Sequence, residues 1–377
     1  MPSEQIPITP AIVTWARKRA GFALADMERE FPKIAQWEVG DSYPTYRQLE
    51  NLSVKLKVPV AVFFFPEEPR TPPIEETFRT LPQAVLDRLP SRMKLLLRKA
   101  KALQLNLIEL CGGRNPMPRL ITRDLRFSPA ESVVTMAREV REYLGISIDQ
   151  QIAWLNDDSA LKAWRDSLQK FGVFIFKDAF QAADYSGFCL VDNEFPIIYL
   201  NNSCSKTRQM FTIFHELAHL LFETSGIDSL SEIEARPGQS RQIEVFCNRF
   251  AAEFLLPAAV FEQARRGLAA SEETAQLLAA RFHVSRESIF RRFLDRREIS
   301  LRQYEEAAER WNNEGGEGAG GNYYNTKLAY LPRDYVALAL AAYHQNRISE
   351  GKLAEFLDTK PRNLSTLEER FIGNAAA

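Results

Sequence analysis

The chain has 377 residues, 45% of them hydrophobic, which is enough apolar content for two or three packed domains. Its formal net charge is −1, so no long-range attraction draws the whole molecule to nucleic acid or to an anionic membrane. The sequence contains no run of roughly 18 apolar residues, which argues against a membrane-spanning helix. The four cysteines show no paired metal-type spacing, and no basic-then-apolar export signal begins the chain. We therefore expect a cytoplasmic protein with reduced thiols.

Residues 1–65 predict short helices separated by turn signals. An apolar helical face is interrupted at Gly21 and a second helix follows over 24–31. The segment Trp37-Glu38-Val39-Gly40 then precedes Pro44-Thr45. This arrangement resembles the repressor-type (Xre-like) helix-turn-helix, in which a Trp-Glu-x-Gly segment ends the recognition helix and Pro-Thr caps the next helix. The resemblance implies a degenerate helix-turn-helix domain over residues 1–65.

The charge of residues 1–65 is low for a DNA reader. The segment carries eight Lys and Arg residues against seven Asp and Glu residues, a net charge of +1. Phe31-Pro32 stands where polar, base-reading side chains would be expected. These features favour a protein-docking or structural role and support DNA binding only weakly.

A proline-rich spacer follows, and a larger domain comes after it. Residues 66–84 predict a linker because Pro is poorly compatible with helices and favours extended chain. The larger domain spans 85–310. Its first helices are predicted over Val85–Leu110, from the capping box at Ser128 to about Leu144, and over Ser159–Gln169.

The periodicity then changes to that of a small sheet. Short apolar runs predict strands over Val173–Phe176, Gly187–Val191 and Pro196–Leu200. Asp192-Asn193-Glu194 predicts the turn of a hairpin between the last two strands. The edge of such a sheet can pair with an extended peptide through main-chain hydrogen bonds.

The strongest motif is His215-Glu216-Leu217-Ala218-His219 within an apolar helix. Two histidines four residues apart lie on one helical face, so both imidazoles can bind one cation. The spacing is typical of a zinc hydrolase: His215 and His219 are predicted metal ligands, and Glu216 is the predicted general base toward water.

A third protein ligand is needed, and the helical segment after residue 240 offers it. Glu244 and Asn248 share one helical face, so we choose Glu244 as the ligand and Asn248 as a residue that orients a ligand. Glu253 is the rival carboxylate, although it lies off that face. Weaker alternatives fall in or beside a loop, 224–239, that we expect to be mobile; they are Glu223, Glu232 and Glu234.

The succession of strands, the 208–221 helix and Glu244-x-x-x-Asn248-x-Phe-Ala-Ala-Glu-x-Leu-Leu-Pro257 resembles the ImmA/IrrE family of bacterial and phage metallopeptidases over about residues 70–300. The resemblance implies a zincin-like, gluzincin-type domain in which His215, His219 and Glu244 bind Zn²⁺ and Glu216 is the base. The best understood members of the family cleave helix-turn-helix repressors and so release stress or excision genes. Cys247 departs from the small residue that usually precedes the asparagine. The motif fixes no donor for the oxyanion; Tyr185, Tyr199 and Arg208 stay open.

Three further segments complete the chain. Residues 271–300 predict a second helix-turn-helix-like unit. Residues 281–297 contain six arginines and two carboxylates, a net charge of +4. In the family this segment closes the peptidase domain. Residues 311–321 predict a glycine-rich linker. Residues 322–377 predict a small helical tail, with helices over 334–343 and 348–357, that must pack on the body or on a partner.

The sequence thus predicts an α+β, mostly helical protein with an N-terminal helix-turn-helix bundle, a zincin-like domain with a small sheet and a C-terminal helical tail. The main functional hypothesis is a cytoplasmic zinc endopeptidase that cleaves a DNA-binding repressor or an antitoxin in stress, mobile-element or toxin–antitoxin regulation. The alternative is a transcriptional regulator or antitoxin that binds a partner toxin or an operator, with a silent peptidase domain serving as a scaffold.

Overall fold

The computed structural model describes residues 5–69, 89–128, 130–182, 184–223, 227–229, 238–313 and 322–376. The protein is mostly helical with a small mixed sheet, which confirms the α+β class. The chain divides into two compact units, residues 1–99 and residues 100–377. Within the described ranges, no helix is both long enough and apolar enough to cross a lipid bilayer.

The first unit is a bundle of short helices. Its elements are α1 (Pro10–Ala20), α2 (Leu24–Glu28), α3 (Ile34–Val39), α4 (Tyr46–Leu56) and a 3₁₀ helix (Val60–Phe64). Trp37 is buried in the core of this bundle. Arg17 on α1 donates two hydrogen bonds, of 2.6 and 2.9 Å, to the carboxylate of Glu38 on α3. Thr45 begins α4 with a capping box, as the sequence predicted.

The helix α5 (Ser91–Leu110) leads into the second unit, which contains the sheet. The helices before the sheet are α6 (Ile121–Asp124), α7 (Val133–Leu144), α8 (Ile148–Ile152) and α9 (Asp157–Lys170). The helices after the third strand are α10 (Lys206–Leu221), α11 (Gly238–Leu255), α12 (Ala258–Ala264), α13 (Glu272–Phe282), α14 (Arg286–Asp295) and α15 (Leu301–Asn313). The last elements are α16 (Tyr323–Tyr330), α17 (Arg333–His344), α18 (Glu350–Phe356), a 3₁₀ turn (Pro361–Asn363) and α19 (Leu364–Ala376).

Four strands form one mixed sheet in the order β1-β3-β2-β4. They are β1 (Phe174–Asp178), β2 (Tyr185–Leu190), β3 (Ile197–Asn201) and β4 (Ile227–Ser229). β1 runs parallel to β3, with Phe176 opposite Tyr199, while β2 is antiparallel to both β3 and β4. The turn between β2 and β3 is held by Asp192, whose Oδ1 accepts from the backbone N–H groups of Glu194 and Phe195. The predicted hairpin is therefore present.

The two faces of the sheet bury different side chains because alternate residues of a strand point to opposite sides. On one face Ile175, Cys189 and Ile198 join the main core with α9 and α10. On the other face Tyr199 stacks on Phe188, with ring centroids 5.1 Å apart. The C-terminal tail contacts this second face, where Tyr335 of α17 lies edge-on to Phe176 at 5.2 Å. The tail therefore packs on the body of its own unit.

Several predicted boundaries differ from the structure. α7 begins at Val133, capped by Ser132, because Ser128 and Glu131 form a separate turn instead of the first turn of the helix. β4 falls within the 224–239 segment that we expected to be a mobile loop, and it covers the edge of β2. The 70–84 part of the predicted linker, the first four residues (85–88) of the helix predicted over Val85–Leu110 and the 314–321 part of the glycine-rich linker lie outside the described residues.

We predict that Gly187→Ala destabilises the second unit. A Cβ at this position of β2 would lie 2.5 Å from Thr212 Cγ2 and 3.0 Å from the Tyr199 carbonyl oxygen. Because such overpacking forces the strand away from α10, we expect a loss of about 1–3 kcal/mol in the free energy of unfolding, measured by urea denaturation.

Two variants make this test specific. Thr212→Ser removes the clashing methyl and keeps the hydroxyl, so it should restore part of the stability of Gly187→Ala. Gly351→Ala, whose Cβ would meet only Ser349 Oγ at 3.9 Å, should be neutral or slightly stabilising. Equal stability of wild type and Gly187→Ala would contradict this account.

Candidate metal centre

Helix α10 carries the HExxH motif through the centre of the second unit. Ser205 caps the helix by accepting a hydrogen bond from the backbone N–H of Arg208 at 3.2 Å. Ile213, Phe214 and Leu217 belong to the main core, which explains why this stretch is apolar. His215, Glu216 and His219 are buried too.

Packing between α10 and α11 sets the distance between their polar residues. Phe214 of α10 stacks on Phe254 of α11, with ring centroids 4.0 Å apart. Trp164 of α9 lies edge-on to both rings, at 4.9 Å from Phe214 and 5.3 Å from Phe254. This contact of three aromatic rings, one from each helix, fixes how α11 presents its other face to the histidines.

The predicted ligands come together in this position. His215 Nε2 lies 3.3 Å from Glu244 Oε2, and His219 Nε2 lies 3.4 Å from Glu244 Oε1. The two histidine Nε2 atoms are 3.2 Å apart. Among the described residues, these three side chains form a group whose ligand atoms all lie within 4.8 Å of one another and could hold a metal ion.

Asn248, one helical turn after Glu244, contacts the opposite edge of the first histidine. Its Oδ1 atom lies 3.1 Å from His215 Nδ1. When Nδ1 carries the proton and donates it to this amide oxygen, the lone pair of Nε2 is left for a cation. The structure therefore places Asn248 where the sequence predicted an orienting residue.

The carboxylate of Glu244 is 2% exposed, yet its charged form is favoured. Burial raises the pKa of Glu244, but hydrogen bonds from His215 and His219 outweigh burial and hold the pKa below its usual range. Glu244 is thus an anion at neutral pH, as a metal ligand must be. Glu216 adds a second buried carboxyl group to the same helix as the histidines. Such a concentration of buried acidic groups fits a site for a divalent cation.

The other predicted carboxylates do not join this group. Glu253 accepts hydrogen bonds from the backbone N–H of Ala258 at 3.1 and 3.2 Å and lies 3.7 Å from Arg292, so it holds the start of α12. Glu223 forms an ion pair with Arg126 at 2.8 Å. The remaining two alternatives, Glu232 and Glu234, lie outside the described residues.

The three residues considered as oxyanion donors occupy different positions. Tyr199 stacks on the aromatic face of the sheet, and its hydroxyl donates to Asp178 at 3.2 Å, so it faces away from α10. Arg208 donates to Ser186 Oγ at 3.0 Å and ties the first turn of α10 to β2. Tyr185 begins β2, and its carbonyl accepts from Asn201.

The basic segment in α13 and α14 is largely used in packing. Arg292 donates to the carbonyl of Ala252 at 3.1 Å and to that of Leu256. The structure also pairs Arg291 with Asp295 and Arg296 with Glu262. These contacts neutralise much of the charge that suggested DNA binding, and they attach α14 to the end of α11.

A comparison with known protein families indicates a metallopeptidase-type domain around the histidine–glutamate group. Residues 168–294 match Peptidase_M78, the IrrE N-terminal-like domain family, which supports the resemblance to the ImmA/IrrE peptidases. Members of this family are typically metal-dependent peptidases. The matched segment begins in α9 and extends almost to the end of α14, so it includes residues 271–294 of the second helix-turn-helix-like unit. No curated protein shows a significant match to the chain.

We predict that Glu253→Ala lowers stability through the contact with α12. The variant leaves the Ala258 N–H without its acceptor and Arg292 without its carboxylate, so the free energy of unfolding should fall by about 1–2 kcal/mol. Chemical denaturation measures this change. Glu305→Ala, at an exposed site on α15, is the control and should change stability by less than about 0.5 kcal/mol. A neutral Glu253→Ala would show that the contact is incidental.

Proposed function

We propose that this protein is a zinc-dependent endopeptidase that cleaves a DNA-binding repressor or an antitoxin-type protein. The observation that carries the proposal is the spacing of His215, His219 and Glu244. Two atoms that bind one zinc ion at about 2.0–2.1 Å in tetrahedral geometry lie about 3.3–3.4 Å apart. The two histidine Nε2 atoms are 3.2 Å apart, and each lies close to a different oxygen of Glu244: His215 is 3.3 Å from Oε2 and His219 is 3.4 Å from Oε1. Three protein ligands leave the fourth position open, as a catalytic zinc site requires.

The roles of the chain's own residues follow from this arrangement. When bound, a zinc ion would act as a Lewis acid that polarises the scissile carbonyl and lowers the pKa of the attacking water. His215, His219 and Glu244 hold the ion, and Asn248 keeps His215 in the tautomer that binds it. Glu216 takes the proton from the attacking water and passes it to the leaving amine.

The proposed substrate class rests on the resemblance to the ImmA/IrrE peptidases, and the surface of the N-terminal bundle supports a role in binding protein. In α3, Glu38 is engaged by Arg17, while Val39 is 68% exposed. A recognition helix that exposes an aliphatic side chain offers few donors to a DNA groove and is better suited to a protein surface. We therefore propose that the bundle recruits a repressor-type or antitoxin partner for cleavage.

The substrate strand would approach the sheet from the side of β4. β4 covers β2, so the outer edge of the sheet at this end belongs to β4. An extended segment of the substrate can add to this edge through main-chain hydrogen bonds, or it can displace β4 and pair with β2.

Metal content of two matched variants tests the ligand assignment. Glu244→Ala removes the carboxylate that lies beside both histidines, so zinc affinity should fall by about 100-fold or more. Glu253→Ala should retain one equivalent of zinc, because its carboxylate contacts α12 instead. Competition with a chromogenic chelator measures both affinities. If Glu244→Ala retained zinc and Glu253→Ala lost it, Glu253 would be the ligand and the assignment of Glu244 would be wrong. Absence of zinc from the wild-type protein would contradict the proposal.

Glu216→Gln should separate metal binding from cleavage. The amide cannot take a proton from water, so the variant should keep its zinc and lose about 10²–10⁴-fold or more of the cleavage rate. The measurement is co-expression with a repressor-type helix-turn-helix protein, followed by mass spectrometry of the fragments.

Glu223→Gln is the matched control, because Glu223 follows α10 and lies on the surface. It should cleave at the wild-type rate. Cleavage by Glu216→Gln at that same rate would overturn the mechanism. If the wild type binds zinc, cleaves nothing and forms a tight, salt-sensitive complex with its own promoter, the protein is a regulator instead of a peptidase.

A further inference from the structure

A cavity of about 470 Å³ opens in the second unit, and none of the three predicted metal ligands lines it. Its walls come from α7, from the turn that leads into α8 and from the end of α11. The apolar part of the lining includes Val134, Ala137, Ile146 and Pro257. The volume lies within the range of small-molecule sites, roughly 300–1,000 Å³.

Arg141 of α7 supplies the polar part of the cavity wall. Its guanidinium donates to the carbonyl of Ile146 at 3.2 Å, to Gln151 Oε1 at 3.0 Å and to the carbonyl of Phe254. Arg141 Nε is buried and has no hydrogen-bond partner among the described residues. Because Nε is buried, a ligand in the cavity does not reach it. The three hydrogen bonds use Nη1 once and Nη2 twice, so one of the five N–H donors, on Nη1, has no acceptor among the described residues.

The charge of Arg141 is also not balanced by a carboxylate. The other charged residues at the cavity form their own pairs: Arg138 with Glu142 at 3.9 Å, and Glu253 with Arg292 at 3.7 Å. The described residues place no acidic group within 4.0 Å of Arg141; carbonyl and amide oxygens accept from its guanidinium, which also lies over the rings of Trp164 and Phe254, at 5.5 and 4.6 Å from their centroids. Burial lowers the pKa of Arg141 to about 10, and the group is still a cation at neutral pH.

We propose that this cavity binds a small organic acid. The carboxylate of the ligand meets Arg141, and its aliphatic or aromatic body packs against Val134, Ala137 and Ile146. One unbalanced positive charge matches a monoanion better than a doubly charged phosphate, because the other charged groups at the cavity are already paired with one another or with Arg292. The proposal does not depend on peptidase activity.

The chemistry of the ligand is tested by a matched series on the full-length protein. Octanoate, octanamide and octan-1-ol share one apolar chain and differ in the head group. Isothermal titration calorimetry should show octanoate binding about 10-fold or more tightly than the two neutral compounds, because a hydrogen bond to a charged group is the stronger kind. Equal affinity for all three compounds, or no binding of octanoate at millimolar concentration, overturns the proposal.

A pair of variants at an exposed position tests whether the ligand binds in this cavity and does not disrupt the fold. Val134 is 60% exposed and lies in the first turn of α7, where an acidic side chain is tolerated. Val134→Glu introduces a charge that repels the carboxylate, so octanoate affinity should fall about 10-fold or more, whereas Val134→Gln should retain it. Leu155→Glu, at an 89% exposed site that does not line the cavity, should bind like wild type.

Arg141→Gln completes the test, because it removes the charge and keeps an amide donor. It should abolish the preference for octanoate over octanamide. If this variant fails to fold, the Val134 pair still decides the result. Equal octanoate affinity in Val134→Glu and Val134→Gln would show that the ligand lies elsewhere and would overturn the proposal. Octanoate affinity in Glu244→Ala that differs from wild type would also overturn it, because it would place the ligand at the metal centre.

Discussion

The structure of the second unit depends on the contact between α10 and α11. Phe214, Phe254 and Trp164 form an apolar group that holds the two helices at a fixed distance. Because interiors are close-packed, a shift of one ring moves its helix as a whole. His215 follows Phe214 directly, and Glu244 precedes Phe254 on the same helix. The 3.3 Å separation of His215 from Glu244 is therefore a consequence of aromatic packing, and it does not require the metal to draw the helices together.

Local periodicity explains which parts of the site the sequence could predict. His215 and His219 needed only the helical repeat, since residues four apart share a face in any α-helix. Glu244 needed one further step, its phase relative to Asn248, and the structure places both residues against the histidines. Arg141 gave no signal of this kind. Its partners are backbone carbonyls, one of them on Phe254, which is 113 residues away along the chain. Contacts of that range are created by the fold and cannot be read from spacing.

The strands show the same limit. Three apolar runs and a turn predicted β1, β2 and β3 to within a few residues. β4 has three residues, too few to show a period of two, and its pairing with β2 joins segments far apart in the sequence, such as Gly187 and Asp228. The basic segment of α14 also required the fold: the sequence could count arginines but could not show that Arg292 binds the carbonyls of Ala252 and Leu256. A count of charges measures the electrostatic potential of a surface only when the charges are not paired.

Helix α11 has a negatively charged side chain, Glu244, near its middle and binds a positively charged side chain, Arg141, at its carboxyl end. In its first half, Glu244 is a buried anion beside two imidazoles, an environment that a cation completes. At its last turn, free carbonyl groups attract cationic side chains, since the carboxyl end of a helix carries partial negative charge. Arg141 and Arg292 both donate there, and Gln151 donates to the carbonyl of Leu255. Arg292 has Glu253 as its counter-ion, but Arg141 receives only partial charges. The same helix therefore contributes Glu244 to a group that could hold a metal ion, and at its end it binds Arg141, which has no carboxylate partner among the described residues.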